Sequence, residues 1–229
     1  MSTVPDASTI RRMFAGVAPR YDLLNHLLSL GIDRRWRREV VSDLGLKPTD
    51  LVLDVCCGTG DLALEIAPRA RCSACDFTWE MLTRARRKSI RAHLPLQLAA
   101  ADALHLPFPA DAFDAATVGF GVRNLEHLGA GLHELRRVLR PNGVLAILEF
   151  SQPTHPLLQV PYRLYLHGLL PLVGRVVSKK KEAYRYLADS IAGFPNPDTL
   201  SQLLIDQGFH QVSYRRLTGG IVAIHKAVA

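Results

Sequence analysis

The chain has 229 residues, 48% hydrophobic and 21% charged, a composition that fits one large folded domain with a substantial core and excludes a disordered chain. Its net charge of +7 points to an anionic surface, nucleic acid or lipid headgroups. The opening MSTVPDASTIRRMF lacks the apolar core of a secretory signal, and the longest apolar region, 156–177, is broken by Pro161, Pro171, Arg163 and Arg175, so a cytoplasmic location is expected.

The first 47 residues read as amphipathic helices, one through FAGVAPRYDLLNHLLSLG and a shorter one through WRREVVSDLGL that stops near Gly45. A strand–helix alternation follows. Strands are expected at 51–55, 71–75, 96–100, 112–118 and 143–150, with helices near 61–67, 79–93 and 130–139. Pro141-Asn142-Gly143 reads as the turn from the last of these helices into its strand. Such alternation implies a parallel sheet with helices on both faces and ligands at the carboxyl ends of its strands. Residues 151–193 interrupt the pattern, apolar at first and then tyrosine-rich (EAYRYLADSIAGF), and are expected to form a helical insertion. A helix at 197–207 and two strands, 210–217 and 220–227, close the chain around the hairpin signal Thr218-Gly219-Gly220, which makes the last strand antiparallel.

The chemistry concentrates in LVLDVCCGTGD, 51–61, where an apolar strand runs through Asp54 into a turn with Gly58 and Gly60 and then a helix. The two glycines let the backbone turn sharply and leave room for a ligand. Asp76 ends the next apolar stretch and is placed to accept hydrogen bonds from a ribose. This is a nucleoside-binding unit, and two cofactors compete for it. GTGDLA fits the loose dinucleotide pattern, with Asp76 at a plausible distance. Three features favour S-adenosylmethionine (SAM) instead. Asp54 would repel a pyrophosphate but suits the ammonium of a methionine moiety. Asp102 and Ala103, in LQLAAADALHLPF, can meet an adenine amino group and ring edge. No Tyr-x-x-x-Lys pair for hydride transfer occurs. Gly119, at the fourth strand end, falls into the same crevice.

Other features have plain structural explanations. The basic clusters RRWRR, RARRKSIR and 179–181 read as solvated helix faces. Cys72 and Cys75 form a C-x-x-C, but residues three apart on a strand point to opposite faces, and nothing completes a metal site. Cys56 and Cys57 read as small packing residues. The nine histidines show no ligand spacing, and no metal is expected.

Taken together, the chain resembles the ubiquinone/menaquinone biosynthesis C-methyltransferase family over nearly its whole length. The N-terminal pattern is carried by Phe14, Val17, Ala18, Tyr21, Asp22, Asn25, Ser29, Gly31, Trp36 and Arg37. LDVCCGTGD, CDF, ADALHLPF, FGVRN, VLRPNG and LEFS match in the centre, and YRYLADSI, FPNPDTL and LTGGIVAIHK near the C-terminus. The resemblance implies an α/β class I methyltransferase fold, seven-stranded with only the last strand antiparallel. It also implies methyl transfer from SAM to a ring carbon of a prenylated quinol, the CCGTGD form leaning towards the menaquinone pathway. By position it assigns cofactor contacts to Thr59, Asp76, Asp102 and Ala103. Where family members often carry Ser, this chain has Gly119, so only backbone there can touch the cofactor.

That chemistry asks for a cation beside a developing phenolate, and Arg123, just beyond a strand end, is the candidate; its alternative is a structural ion pair. Asn124 can orient the quinol or cap the next helix. Tyr21, Tyr184 and Tyr186 can hydrogen-bond or stack on it, or simply pack in the core. The prenyl tail calls for an apolar lid, for which the N-terminal helices and 157–177 are candidates, with basic neighbours meeting a membrane surface; ordinary core or a homodimer contact is the alternative. A nucleic-acid or other small-molecule methyltransferase is the rival enzyme. Against nucleic acid, the fourth strand end reads GFGVRN rather than an Asn/Asp-Pro-Pro-aromatic motif, and no Pro-Cys pair occurs. A non-catalytic SAM-binding assembly protein is the remaining class.

Overall fold

The computed structural model describes residues 5–165, 168 and 181–229, with the side chains at 163 and 181–184 outside the description. Seven strands form one sheet in the order β3-β2-β1-β4-β5-β7-β6. They are β1 (Leu51–Val55), β2 (Arg71–Asp76), β3 (Gln97–Ala100), β4 (Phe113–Gly119), β5 (Leu139–Phe150), β6 (His210–Leu217) and β7 (Val222–Val228). β1 to β5 pair in parallel, and β7 runs antiparallel to both β5 and β6. The sheet is the one the resemblance implies.

The central strands are apolar because helices cover both faces, leaving no strand side in water. Two core clusters result, and the pleat divides them: Cys75 belongs with Leu53, Val55 and Ile147, whereas Cys72 belongs with Val52, Ala74 and Leu148. The C-x-x-C is thus split across the sheet, as its spacing predicts.

The α-helices among the described residues are α1 (Ala7–Val17), α2 (Tyr21–Leu28), α3 (Asp33–Leu44), α4 (Asp61–Ile66), α5 (Trp79–Ala92), α6 (Leu128–Val138), α7 (Pro156–Leu164), α8 (Lys181–Gly193) and α9 (Pro197–Asp206). Asp6 caps α1 by accepting the Thr9 N–H, and Asn196 caps α9 through the Thr199 N–H. The first 47 residues form three helices rather than two, because a short 3-10 turn at Ala18–Arg20, carrying Pro19, splits the first expected helix into α1 and α2. The expected break before α3 is present, with Leu30 and Gly31 at positive φ. β5 begins earlier than expected. Leu139 already pairs with Phe113, Asn142 takes a left-handed φ of 66°, and regular pairing resumes at Val144. Pro141-Asn142-Gly143 is therefore an irregularity within a strand, not a helix-to-strand turn.

Helices outside the alternation gather over the strand ends. The Tyr165 hydroxyl donates to the Leu28 carbonyl at 2.7 Å, tying the end of α7 to that of α2. Leu24 packs with Ala188 and Leu187, and Tyr162 with Ile191 and Phe150, in two small clusters apart from the main core.

Candidate active site

Three cavities open at the carboxyl ends of β1, β2 and β4, and Tyr21 and Phe120 border all of them. The largest, about 390 Å³, is walled by apolar side chains from α1, α2, α3, α7 and α8, with Arg37 and Arg123 among them. A second, about 70 Å³, is lined by Gly58, Asp76, Asp102, Ala103, Gly119 and Asn124. A third, about 30 Å³, holds Asp54, Thr59 and Arg37 and shares Gly58 and Gly119 with the second.

The glycine turn explains how the acids converge. Gly58 and Gly60 take φ of +55° and +83°, a region costly for residues with a Cβ, and a Cβ on Gly60 would stand 3.1 Å from that of Ala85. The turn hangs on Asp76, whose Oδ2 accepts the Gly58 N–H at 2.9 Å and whose Oδ1 accepts the Thr78 N–H at 2.8 Å. Burial nevertheless raises the Asp76 pKa. Asp54 pairs in register with Thr117 of β4 and accepts its hydroxyl at 2.8 Å through Oδ1, while Oδ2 is buried without a partner. Burial pushes its pKa up to about 7, against the Thr117 hydrogen bond and the Arg37 charge. Asp54 therefore does not present a full charge against a pyrophosphate; near neutral pH burial leaves it only partly ionised. The orphaned oxygen is the stronger sign, since it calls for a donor from a ligand. The acids and backbone lining these two cavities suit the chemistry of a cofactor with an ammonium, ribose hydroxyls and an adenine.

Gly119 lines both small cavities, and a Cβ there would lie 3.2 Å from Leu62, so the absent hydroxyl matches a crowded position. Ala103 is buried at the second cavity. Asp102 is exposed there, its Oδ1 accepting the Leu104 N–H at 2.9 Å. Thr59 lines the third cavity, its hydroxyl donating to Asp22 at 2.5 Å. Asn124 lines the second cavity, not the large one, and His127 rather than Asn124 precedes α6; its Oδ1 accepts the Tyr186 hydroxyl at 3.0 Å. Tyr186 lines the large cavity, and the Tyr184 side chain lies outside the described residues.

Arg123 is buried in a short helical turn after β4. Its Nη1 donates to Glu149 Oε1 at 3.0 Å and to the Phe120 carbonyl, and its guanidinium lies 5.3 Å from the Phe150 ring centroid. Ion pairing and cavity lining are therefore both true of it.

Sequence reasoning missed a polar network beneath α2 and α3. Arg37 donates to Asp33 and lies 3.6 Å from Asp61; Lys88 reaches Asp61 as well, and Asp22 at 3.1 Å. His26 and Ser29 also bond Asp33. Burial opposes ionisation of Asp33, but these partners outweigh it and hold its pKa at about 2. His26, Asp33 and Asp61 come close enough to bind a cation, but Arg37 already lies on both acids and Lys88 on Asp61. RRWRR is thus no uniform solvated face. Arg34, Arg35 and Arg38 are exposed, whereas Trp36 and Arg37 turn inward with Val40 and Val41. The readable signal was Arg37 four residues after Asp33 on the apolar side of a helix.

Solved structures share the fold. A SAM-dependent methyltransferase from Thermotoga maritima, described as a possible histamine N-methyltransferase, superposes with a TM-score of 0.65 at 16% identity over 95% of this chain and 98% of its own. Another SAM-dependent methyltransferase, from Aquifex aeolicus, gives 0.62 at 19% identity over 84% and 88%. Among sequence relatives, a demethylmenaquinone methyltransferase of Thermus thermophilus is 48% identical over 93% of this chain and 98% of its own length. A ubiquinone/menaquinone biosynthesis C-methyltransferase UbiE of a Geobacter species is 46% identical over 94% of each. The model of the ubiE/COQ5 methyltransferase family matches residues 2–229. From Asp54 and its glycine turn to the closing hairpin, the chain belongs to the ubiE/COQ5 family of SAM-dependent methyltransferases.

Proposed function

We propose that the chain methylates a ring carbon of a reduced polyprenyl quinol, with demethylmenaquinol as substrate and the 2-methoxy-6-polyprenyl-benzoquinol of the ubiquinone route as the alternative. The observation that carries the reading is a 390 Å³ apolar cavity sharing Tyr21 and Phe120 with the cavities that hold Asp54 and Asp76. The relatives named for demethylmenaquinone support the first substrate. The basic charge is assigned to a lipid surface rather than to nucleic acid, since the fourth strand end carries GFGVRN.

Bound SAM supplies a methyl carbon made electrophilic by its sulfonium. The chain's residues do the rest. Asp54 would take the ammonium, Asp76 the ribose, and Asp102 with Ala103 the adenine. An oxidised quinone ring cannot act as nucleophile, but an ionised hydroquinone can, and the Arg123 guanidinium favours that ion in a cavity with mostly apolar walls. Holding ring and methyl in near-attack geometry removes much of the entropic barrier. Within a single 1–229 domain, 1–47 serves as cap through α1, α2 and α3, and 151–193 as substrate lid through α7 and α8, residues 166–167 and 169–180 of it lying outside the described residues. The test is to incubate the protein with methyl-labelled SAM and chemically reduced demethylmenaquinone or its benzoquinol counterpart. Label should enter the quinone fraction only when reductant is present; label entering without reductant, or never, refutes the reading.

Asp76→Ala should weaken SAM binding by about 10–100-fold, because it removes hydrogen bonds to a charged acceptor and loosens the turn it suspends. Calorimetry measures this, and wild-type affinity in the variant would remove the ribose assignment.

No described helix is long and apolar enough to cross a membrane. Peripheral attachment to the cytoplasmic face is supported by two exposed apolar stripes at helical spacing, Leu23, Leu27 and Leu30 in and after α2, and Leu157, Val160 and Leu164 on α7. Leu30 and Leu158 are exposed and also line the large cavity, which places the stripes at its mouth. Exposed Arg34, Arg35 and Arg38 follow directly, worth about 1 kcal/mol each against anionic lipid. Vesicles rich in anionic lipid should co-sediment the protein, and Leu27→Asp with Val160→Asp should release it. If the same double change instead splits a dimer in light scattering, the face is a homodimer contact.

A further inference from the structure

Arg123 does not meet the large cavity as a bare cation, and the group behind it has no part in the reaction described above. We propose that Glu149 is a positioning residue for methyl transfer, fixing the Arg123 guanidinium against the cavity and trimming its positive field at the substrate hydroxyl. The proposal rests on the reading that Arg123 faces an ionising quinol.

Glu149 and Phe150 are successive residues at the end of β5, so the pleat sends them to opposite sides. Phe150 lines the large cavity; Glu149 lines none of the cavities described and is 2% exposed. Its Oε1 accepts Arg123 Nη1 at 3.0 Å and the Phe150 N–H at 2.8 Å, and Oε2 faces the Arg123 backbone N–H at 3.4 Å. Arg123 Nη1 is held again by the Phe120 carbonyl, and the Phe150 ring backs the guanidinium. Nε is buried and unpartnered. The carboxylate can therefore act on a substrate only through Arg123.

The tyrosines of the cavity register the pair. Burial raises the pKa of both Tyr162 and Tyr186; the Arg123 charge pulls each down and the Glu149 charge pushes each up. Tyr21 feels burial first, then Arg123, and Arg37 more weakly. A quinol hydroxyl in the same space meets the same opposed charges. The opposition has a chemical use: a bare guanidinium would be costly to bury and would over-stabilise the phenolate, making it a poorer nucleophile. A carboxylate behind it secures the geometry and moderates the field.

The test uses a redox-inert probe, 2-geranyl-1-naphthol, bound to the full chain saturated with S-adenosylhomocysteine, with ionisation of the probe followed by absorbance against pH. In Glu149→Gln, which keeps an acceptor for Nη1 but loses the charge, the bound probe should ionise about one pH unit below its wild-type value. In Arg123→Gln it should ionise higher. Glu149→Asp keeps the charge but retracts it, so the probe should ionise as in wild type while kcat falls about tenfold at unchanged KM. If Arg123→Gln shifts the probe and Glu149→Gln does not, Glu149 has no such role and the Arg123 reading stands. If neither shifts it, the Arg123 reading itself fails. Unchanged S-adenosylhomocysteine affinity certifies folding. Should Glu149→Gln not fold, Glu149→Asp decides, and undiminished kcat would overturn the proposal.

Discussion

Arg123→Ala is expected to lower kcat by about 10²–10³-fold while SAM affinity stays within a few-fold, the size of loss seen when one fixed donor is taken from a developing oxyanion. The split follows from position. Arg123 lines the large cavity but neither of the two that hold Asp54 and Asp76. Stability falls too, because Glu149 is left buried without its cation. A broken buried pair costs about 3–5 kcal/mol. Here the cost is limited, since burial already raises the Glu149 pKa and lets it take up a proton. Adding Glu149→Gln to Arg123→Ala should therefore restore melting temperature but not kcat. Single-turnover rates with reduced quinol separate the two effects. If kcat and melting temperature recover together, Arg123 is structural only.

Asp54→Asn should make the protein more stable and a worse binder of its methyl donor. In the free protein Asp54 titrates at about 7 instead of 3.8, so folding favours its neutral form. Below pH 3.8 the group costs nothing. As pH rises the folded state loses about 1.4 kcal/mol per unit, until above pH 7 the full penalty of about 4 kcal/mol is in place. Asparagine removes that penalty and keeps an acceptor for Thr117, but its amide nitrogen inherits the partnerless position of Oδ2, which takes back about 1–3 kcal/mol. The net gain at pH 8 is about 2 kcal/mol, or about 4–8 °C in melting temperature for a chain of this size. A ligand ammonium reverses the preference and expels the proton. Wild-type affinity for SAM should accordingly drop about tenfold per unit as pH falls below 7, and the variant should bind weakly without that slope. Calorimetry at pH 6 and pH 8 measures both. A wild-type affinity flat across that range would detach Asp54 from the ammonium.

Much of this was legible in the residues because buried parallel strands read as apolar runs, and an acid at the end of such a run stands out. β1 and β6 have the expected bounds, and Asp54 and Asp76 end at cavities as their strand-end positions imply. Strand order was not legible in spacing, since apolar runs do not say which neighbour they pair with. The resemblance supplied the number of strands and the antiparallel last one, and the order is read from the structure. The partners of the charged residues were hidden for a different reason. Glu149 lies 26 residues from Arg123, and Lys88 lies 66 from Asp22. Only folding brings such pairs together, so clusters read as solvated faces proved to have one member turned inward. Thr59 shows the same: its hydroxyl, at a motif position, donates to Asp22 of α2, 37 residues away in the chain.

Neither main core cluster contains a residue from α1 or α2; the earliest member is Trp36 of α3. Those first two helices, which wall the large cavity, are fastened instead by the buried Ile10 and Val17 of α1, a few polar links at Asp22 and a small cluster around Leu24. The molecule is thus graded in firmness. Its roof can lift at a small fraction of the free energy that dismantles the sheet, and reactants can be exchanged without disturbing the floor on which they are aligned.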